Sequence, residues 1–403
     1  MKVSLKRMLA YLGLRSAYSS SSQVFVSISV ISAMPRSRLS RHATKVIVRV
    51  SIWTCVVLVL LFLVTYTLLL AFVDRQMHQV PLDVPYKKVR LLNRLYGKQS
   101  LRKLPAGNNP FHPERLLAHR KAIWNSSVYY SKNDVLPSCS QPFILFLITS
   151  SPQHGDRRMS IRRTWCNSIN ATASVKQPWT CIFLVGISKS AEMLAQILKE
   201  KELYGDILLG SYVDSYVNLT LKVVHGLDWS ATHCPSSYVV KTDDDCFVNV
   251  RLLYEFLLRY NVKTSALYAG SVIQDNAKLK VIRGRDKKWA VGFQEYPEEY
   301  YPPYASGFGY IMSADVVKLL ASESRFIVPF PNEDAYVGVL ISRLGISPVS
   351  SSRFVLSPSG LNVCNYLFVF IVHHVQEADQ LALLQKTVES RTVCNHSAIT
   401  TWS

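Results

Sequence analysis

The run Tyr238-Val239-Val240-Lys241-Thr242-Asp243-Asp244-Asp245 carries β-prone apolar residues straight into three consecutive carboxylates, and apolar residues resume at Phe247-Val248. Side chains alternate along a strand, so Asp243 and Asp245 are expected on one side of a sheet edge. Anions gathered this closely call for a cation, and a cluster of oxygen ligands suits a divalent metal. A lone Asp triplet reads more plainly as a solvated acidic turn; the apolar strand ahead of it weakens that reading.

Other chemistry-bearing residues are spread along the chain. Arg158 and Arg162 stand four apart, so on a helix they share a face that either grips a diphosphate or simply meets water. Glu333 and Asp334 open a predicted helix, where helix capping alone would explain acids. An aromatic and glycine-bearing stretch, Tyr300-Tyr301-Pro302-Pro303-Tyr304-Ala305-Ser306-Gly307-Phe308-Gly309-Tyr310, follows Lys288-Trp289. It offers flat faces, hydroxyls and close backbone approach that suit a sugar, with core packing as the plainer alternative. A late apolar strand ends at Val372-His373-His374.

These residues need a scaffold. Phe143–Ile148, Cys181–Val185 and Asp206–Leu209 read as short buried strands, and Ser190–Glu202 shows helical spacing. Asp214 lies just ahead of a helix opened by Asn218-Leu219-Thr220-Leu221-Lys222, and Leu252–Tyr260 forms another. Strands alternating with helices predict an α/β sheet covered on both faces. Ligands in such sheets sit at the carboxyl ends of strands, where this order puts the acid triplet.

The formal charge of +19 invites a nucleic-acid reading, but its distribution excludes one. Residues 1–49 contribute nine Lys/Arg and no acid, residues 74–135 contribute twelve basic and four acidic residues, and 136–403 is left at only +2. No basic groove belongs to the part that looks globular. Between Arg49 and Asp74 lie 24 uncharged residues, Val50–Val73, long enough at about 1.5 Å per residue to span a bilayer core. Arg36, Arg38, Arg41, Lys45 and Arg49 precede them, so the positive-inside rule predicts a single-pass type II anchor with residues 1–49 cytoplasmic and the bulk lumenal. The first 33 residues read as a gene-model extension ahead of Met34. Residues 74–135, basic and Pro-punctuated, read as a stem, and 136–403 as the lumenal catalytic domain. Seven cysteines lie beyond the anchor, so in an oxidising lumen at least one stays outside the intrachain pairs; Cys364 with Cys394 is the expected bridge. Sequons at Asn125, Asn170, Asn218 and Asn395 all fall on the lumenal side.

Taken in order, these motifs resemble those of the lumenal β-1,3-glycosyltransferases, the group of β-1,3-galactosyl- and β-1,3-N-acetylglucosaminyltransferases. The resemblance covers roughly 140–394. It rests on Arg158-X-X-Ile161-Arg162-X-Thr164-Trp165, Asp214-Ser215-Tyr216, Lys241-Thr242-Asp243-Asp244-Asp245, Tyr301-Pro302-Pro303-Tyr304, Glu333-Asp334-X-Tyr336-Val337-Gly338, and Cys364-X-Tyr366 with His373. It implies a GT-A fold in one lumenal domain at the Golgi membrane, a UDP-sugar donor, Mn²⁺, inversion at the anomeric carbon, and a glycan acceptor on a glycoprotein or glycolipid. By the same resemblance Asp245 and His373 hold the metal, and Asp334 is the catalytic base. Asp243, Asp244, Asp214, Arg158, Arg162 and Lys222 contact the donor, while Trp289, Tyr304, Gly307 and Glu333 line the sugar pocket. Cys166 stands where the family usually has Gly, which puts the local turn and the disulfide pattern in question. Galactose is the expected donor sugar, with N-acetylglucosamine or N-acetylgalactosamine as alternatives. An inactive relative acting as chaperone or lectin is the rival of another class. An aspartyl phosphatase is excluded by Phe247, where its pattern needs Thr or Val.

Overall fold

β1 (Ile144–Thr149) is buried at all six positions, which is why an unbroken apolar run, Ile144–Ile148, rather than an alternating one encodes it up to its last residue. Each such side chain contributes about 1.5–3 kcal/mol by leaving water. β1 pairs in parallel with β2 (Trp179–Ile187) on one side and β4 (Tyr238–Asp243) on the other, and β3 (Ile207–Val213) extends the sheet beyond β2. Two antiparallel pairings continue it: β7 (Tyr304–Ser313) runs against β4, and β6 (Tyr268–Ile273) against β7. With the short β8 (Val349–Ser350) the order is β3-β2-β1-β4-β7-β6-β8. The expected α/β class therefore holds, as a mixed sheet. The computed structural model describes residues 118, 120–122, 124, 129, 134–167, 178–284, 288–395 and 400–403.

Helices cover both faces. α1 (Gly155–Arg163) follows β1, and α2 (Ala191–Tyr204) follows β2, capped by the Ser190 hydroxyl and ended by Gly205 at φ 66°, a left-handed turn that glycine adopts freely. α3 (Leu219–His233) follows β3 and buries Leu221, Val224 and Leu227. α4 (Val250–Arg259) follows a small second sheet strand, β5 (Phe247–Val248). A single turn, α5 (Asn276–Leu279), lies between β6 and β7, and α6 (Ala314–Glu323) and α7 (Glu333–Arg343) come after β7. The second sheet has the order β5-β10-β9, with β9 at Phe354–Val355 and β10 at Ile371–Val372. α8 (Gln380–Val393) closes the chain.

Among the described residues three disulfides pair Cys139 with Cys234, Cys166 with Cys181, and Cys364 with Cys394, leaving Cys246 buried and unbridged. The cysteine found in place of glycine at 166 thus staples the end of α1 to β2. The domain boundary expected at 136 moves towards the N-terminus. Arg120 is buried on Glu295, Trp124 donates to Ser324 O at 2.7 Å, and Tyr129 stacks on His225, so this part of the expected stem is built into the domain. Among the described residues no helix is long and apolar enough to cross a membrane. The expected tail 1–49, the anchor Val50–Val73, most of the stem, Asn125 and Asn170 lie outside the described residues. Asn395 is exposed after α8. The expectation of a glycan on Asn218 is corrected: its side chain is buried at 4% exposure and its Nδ2 donates to Val213 O at 2.9 Å, leaving a glycan no route to solvent.

Candidate active site

The carboxyl ends of β1, β3 and β4 open into one cleft of about 820 Å³, within the range of small-ligand sites. The strand carrying the triplet stops at Asp243, so the expected alternation ends there. Asp243 stays on the sheet side, accepting from Thr149 Oγ1 and, at 2.8 Å, from Lys241 Nζ. Asp244 and Asp245 lie in the turn that follows. Asp244 is buried between His154 Nδ1 (2.8 Å) and Arg157 Nη1 (3.1 Å).

Asp245 meets the far end of the chain. The pairing of β5 with β10 brings His373 Nε2 to 3.3 Å from Asp245 Oδ1, and His373 lies flat on Phe308 at 5.2 Å between centroids. His374 follows at φ 57°, an unusual backbone for a non-glycine residue, and the ligand atoms of Asp245, His373 and His374 lie within 4.8 Å of one another. His373 Nδ1 is buried without a hydrogen-bond partner. One carboxylate and two imidazoles form a mixed donor set that a first-row divalent cation accepts. Burial pushes the Asp245 carboxyl up, but His373 and Arg157 outweigh it and hold the group below its ordinary value, hence ionised and ready to ligate.

Across the cleft, Asp334 sits in the first turn of α7. Its Oδ2 accepts from Gly307 N at 3.1 Å and its Oδ1 from Ala335 N at 2.9 Å. Burial nonetheless raises its pKa, with the Ala335 N–H and Lys241 opposing. Gly307 permits this approach, because a Cβ there would come within 2.9 Å of Glu333 Oε1. Glu333 is buried and pushed up to about 7 by that burial, against the pull of Lys241, whose Nζ lies 2.6 Å away. Tyr310 Oη donates to Glu333 at 3.1 Å. Lys241, itself buried, thus links Asp243 of the triplet to Glu333 beside Asp334. Trp289 and Tyr304 also line the cleft.

The remaining expected donor residues fare differently. Asp214 lines the cleft, but its Oδ2 accepts from Gly186 N (2.7 Å) and Lys222 Nζ (2.8 Å), while Lys222 also donates to Ser150 O at 2.7 Å. This pair chiefly ties the ends of β1, β2 and β3 to α3. The diphosphate grip expected of Arg158 and Arg162 is corrected. Arg158 is fully buried, donating to Ser151 O and bidentately to Glu200, and Arg162 is held by Glu200 and Asp206; neither lines the cleft. Two arginines sharing a helix face is what the spacing carries; which way that face turns depends on Glu200 and Asp206, some forty residues later. Arg158→Ala should destabilise the fold by about 3–5 kcal/mol by orphaning a buried pair while leaving the donor KM unchanged, as denaturant titration and steady-state assays would read. The arginine at the cleft is instead Arg157, which no motif singles out, and His154 and His374 line the cleft without a motif of their own. Adjacency to an arginine motif and to a motif histidine was the only signal available.

The sequence profile described as Galactosyltransferase matches residues 156–352. β-1,3-galactosyltransferase 5 of Mus musculus is 35% identical over 259 residues, covering 63% of this chain and 82% of that protein. β-1,3-galactosyltransferase 1 of Homo sapiens is 34% identical over 235 residues, covering 58% of this chain and 70% of that protein. The chain belongs to the β-1,3-glycosyltransferase family these proteins represent, and it is a hexosyltransferase. A solved galactosyltransferase in complex with donor and acceptor sugar analogs aligns at a TM-score of 0.33 and 9% identity, covering 63% of this chain and 97% of that one, a likeness too slight to argue from.

Proposed function

We propose that the chain moves galactose from UDP-galactose to a hydroxyl of a glycan acceptor, with inversion at the anomeric carbon, in a GT-A-type site. The observation that carries this reading is the placement of Asp334 in one cleft with Asp245, His373 and His374. Only one carboxylate has to act as base, because a cation replaces the acid that a glycosidase needs on its leaving group. Asp334 takes the proton of the acceptor hydroxyl as that oxygen bonds to C1 from the face opposite UDP. The bond from C1 to the UDP oxygen breaks, its electron pair stays with the diphosphate, and the proton ends on Asp334. Asp245, His373 and His374 would hold Mn²⁺, which when bound neutralises charge developing on the leaving diphosphate. Lys241 ion-pairs with both Asp243 and Glu333, whereas among the described residues Asp334 has no ion-pair partner. The anchor at Val50–Val73 and the three disulfides favour a Golgi lumenal setting and acceptors on glycoproteins or glycolipids.

The test is to assay the full-length protein against UDP-galactose, UDP-N-acetylglucosamine and UDP-N-acetylgalactosamine with glycan acceptors, first with Mn²⁺ and then with EDTA. Galactose transfer that EDTA stops supports the reading. Preference for another sugar overturns the donor, and transfer unaffected by EDTA overturns the metal. The raised pKa of Asp334 fixes a pH effect as well. A base works only when deprotonated, and burial moves that point upward, so kcat/KM should fall with falling pH at a midpoint above that of an ordinary carboxylate. An acid limb centred near or below 3.8, the unperturbed value, would count against Asp334.

A further inference from the structure

The position of the base bounds where the rest of the acceptor lies, and that wall of the cleft is cationic. Asn332, two residues before Asp334, ties two neighbours to the mouth: its Nδ2 donates to Trp289 O at 3.2 Å, and its Oδ1 accepts from Tyr216 Oη at 3.3 Å. Lys288 Nζ stands 5.5 Å from both the Tyr216 and the Trp289 rings. Lys278, on α5, lines the same cleft. Both are exposed, and among the described residues neither has an acidic partner in an ion pair, whereas Lys280 beside them is offset by Glu299 at 3.3 Å. Trp289 leaves 53% of its surface to solvent next to this charge.

A neutral glycan needs stacking faces and hydrogen-bond partners, which Trp289 and Tyr216 offer, but it brings no negative charge to two ammonium groups. The donor diphosphate is a poor candidate for them. The proposed cation-binding wall is built from the turn after β4 and from His373 and His374, whereas Lys288 adjoins Trp289, which Asn332 fastens beside Asp334, and Lys278 comes from α5. We infer that the preferred acceptor is an acidic glycan, carrying a carboxylate or a sulfate ester near the sugar whose hydroxyl faces Asp334, and that Lys288 and Lys278 select it. This rests on Asp334 being the base. An exposed pair of this kind steers and discriminates more than it anchors.

The experiment compares a neutral disaccharide acceptor with the same disaccharide bearing either a sulfate ester or a sialyl carboxylate, using the full-length protein. The wild type should favour an anionic form in kcat/KM, and added salt should erode the preference. Lys288→Ala, and Lys278→Ala separately, should each cut the acidic-to-neutral ratio by about five-fold, the effect of one partly screened ion pair, with donor KM unchanged. Lys288→Arg should keep the ratio. Which anionic form is preferred tells carboxylate from sulfate. No preference in the wild type, a ratio unmoved by both alanine variants, or a rise in donor KM instead overturns the inference. A wild type that transfers to none of the three acceptors overturns the transferase reading on which the inference rests, and the inference with it.

Discussion

Replacing Asp334 with Asn is expected to lower transfer by roughly 10²–10⁴-fold, the share a positioned general base supplies, while UDP still binds. The two effects separate because Asp334 and the Asp245, His373 and His374 set lie on different elements. Asp334 is held by the start of α7 and by β7, whereas Asp245, His373 and His374 come from the turn after β4 and from the end of β10. The variant also carries an internal control. Both Asp334 oxygens accept from backbone N–H groups, so an amide must turn its NH₂ towards one of those donors. Leaving an N–H unpaired there costs about 1–3 kcal/mol. Tm should therefore drop modestly, and calorimetry with UDP and Mn²⁺ should give a Kd within a few-fold of the wild type. Transfer at more than about a tenth of the wild-type rate would remove Asp334 from the chemistry, and UDP binding lost together with activity would mean the site had collapsed.

Why Asp334 falls at the cleft, as the family resemblance implies, and Arg158 does not has a physical basis. Asp334 lies where its backbone places it: the first turn of a helix fixes its direction, and the following residues mark that turn. β1 and the central part of β2 were legible for a similar reason, since burial on both faces leaves apolar runs there. Arg158 and Arg162 were assigned by helical spacing, which fixes that two residues share a face but not what faces them. Glu200 on α2 and Asp206 just ahead of β3 claim that face, and neither lies in a recognisable motif. Asn218 failed as a sequon for the same kind of reason, because Val213 O takes its amide in a short turn between β3 and α3. The link from Lys241 to Glu333 spans ninety-two residues and depends on β4 pairing with β7, so no local pattern announces it. His374 and Arg157 belong to the cleft through the pairing of β10 with β5 and the rotation of α1, both long-range outcomes.

Asp245→Ala should abolish cation-dependent UDP binding, weakening metal affinity by more than about 100-fold, since loss of even a supporting outer-shell partner costs 10- to 100-fold. The expected effect is larger than for either neighbour in the triplet. Asp243 is already paired with Lys241 at 2.8 Å, and Asp244 is occupied by His154 and Arg157. Asp245 alone of the three meets His373 and His374. Its removal also unbalances the site in a definite sense. Arg157 Nη1 lies 3.8 Å from Asp245 Oδ2, so without that carboxylate the guanidinium confronts any incoming divalent cation with less opposing charge. Asp243→Asn, by contrast, should leave metal binding nearly intact and loosen Lys241, which would still pair with Glu333. Calorimetric titration of Mn²⁺ in the presence of UDP separates the two variants without any turnover. Equal losses in both would mean that the triplet works as a diffuse anionic patch, and an Asp245→Ala protein that kept wild-type Mn²⁺ affinity would move the cation away from the two histidines altogether.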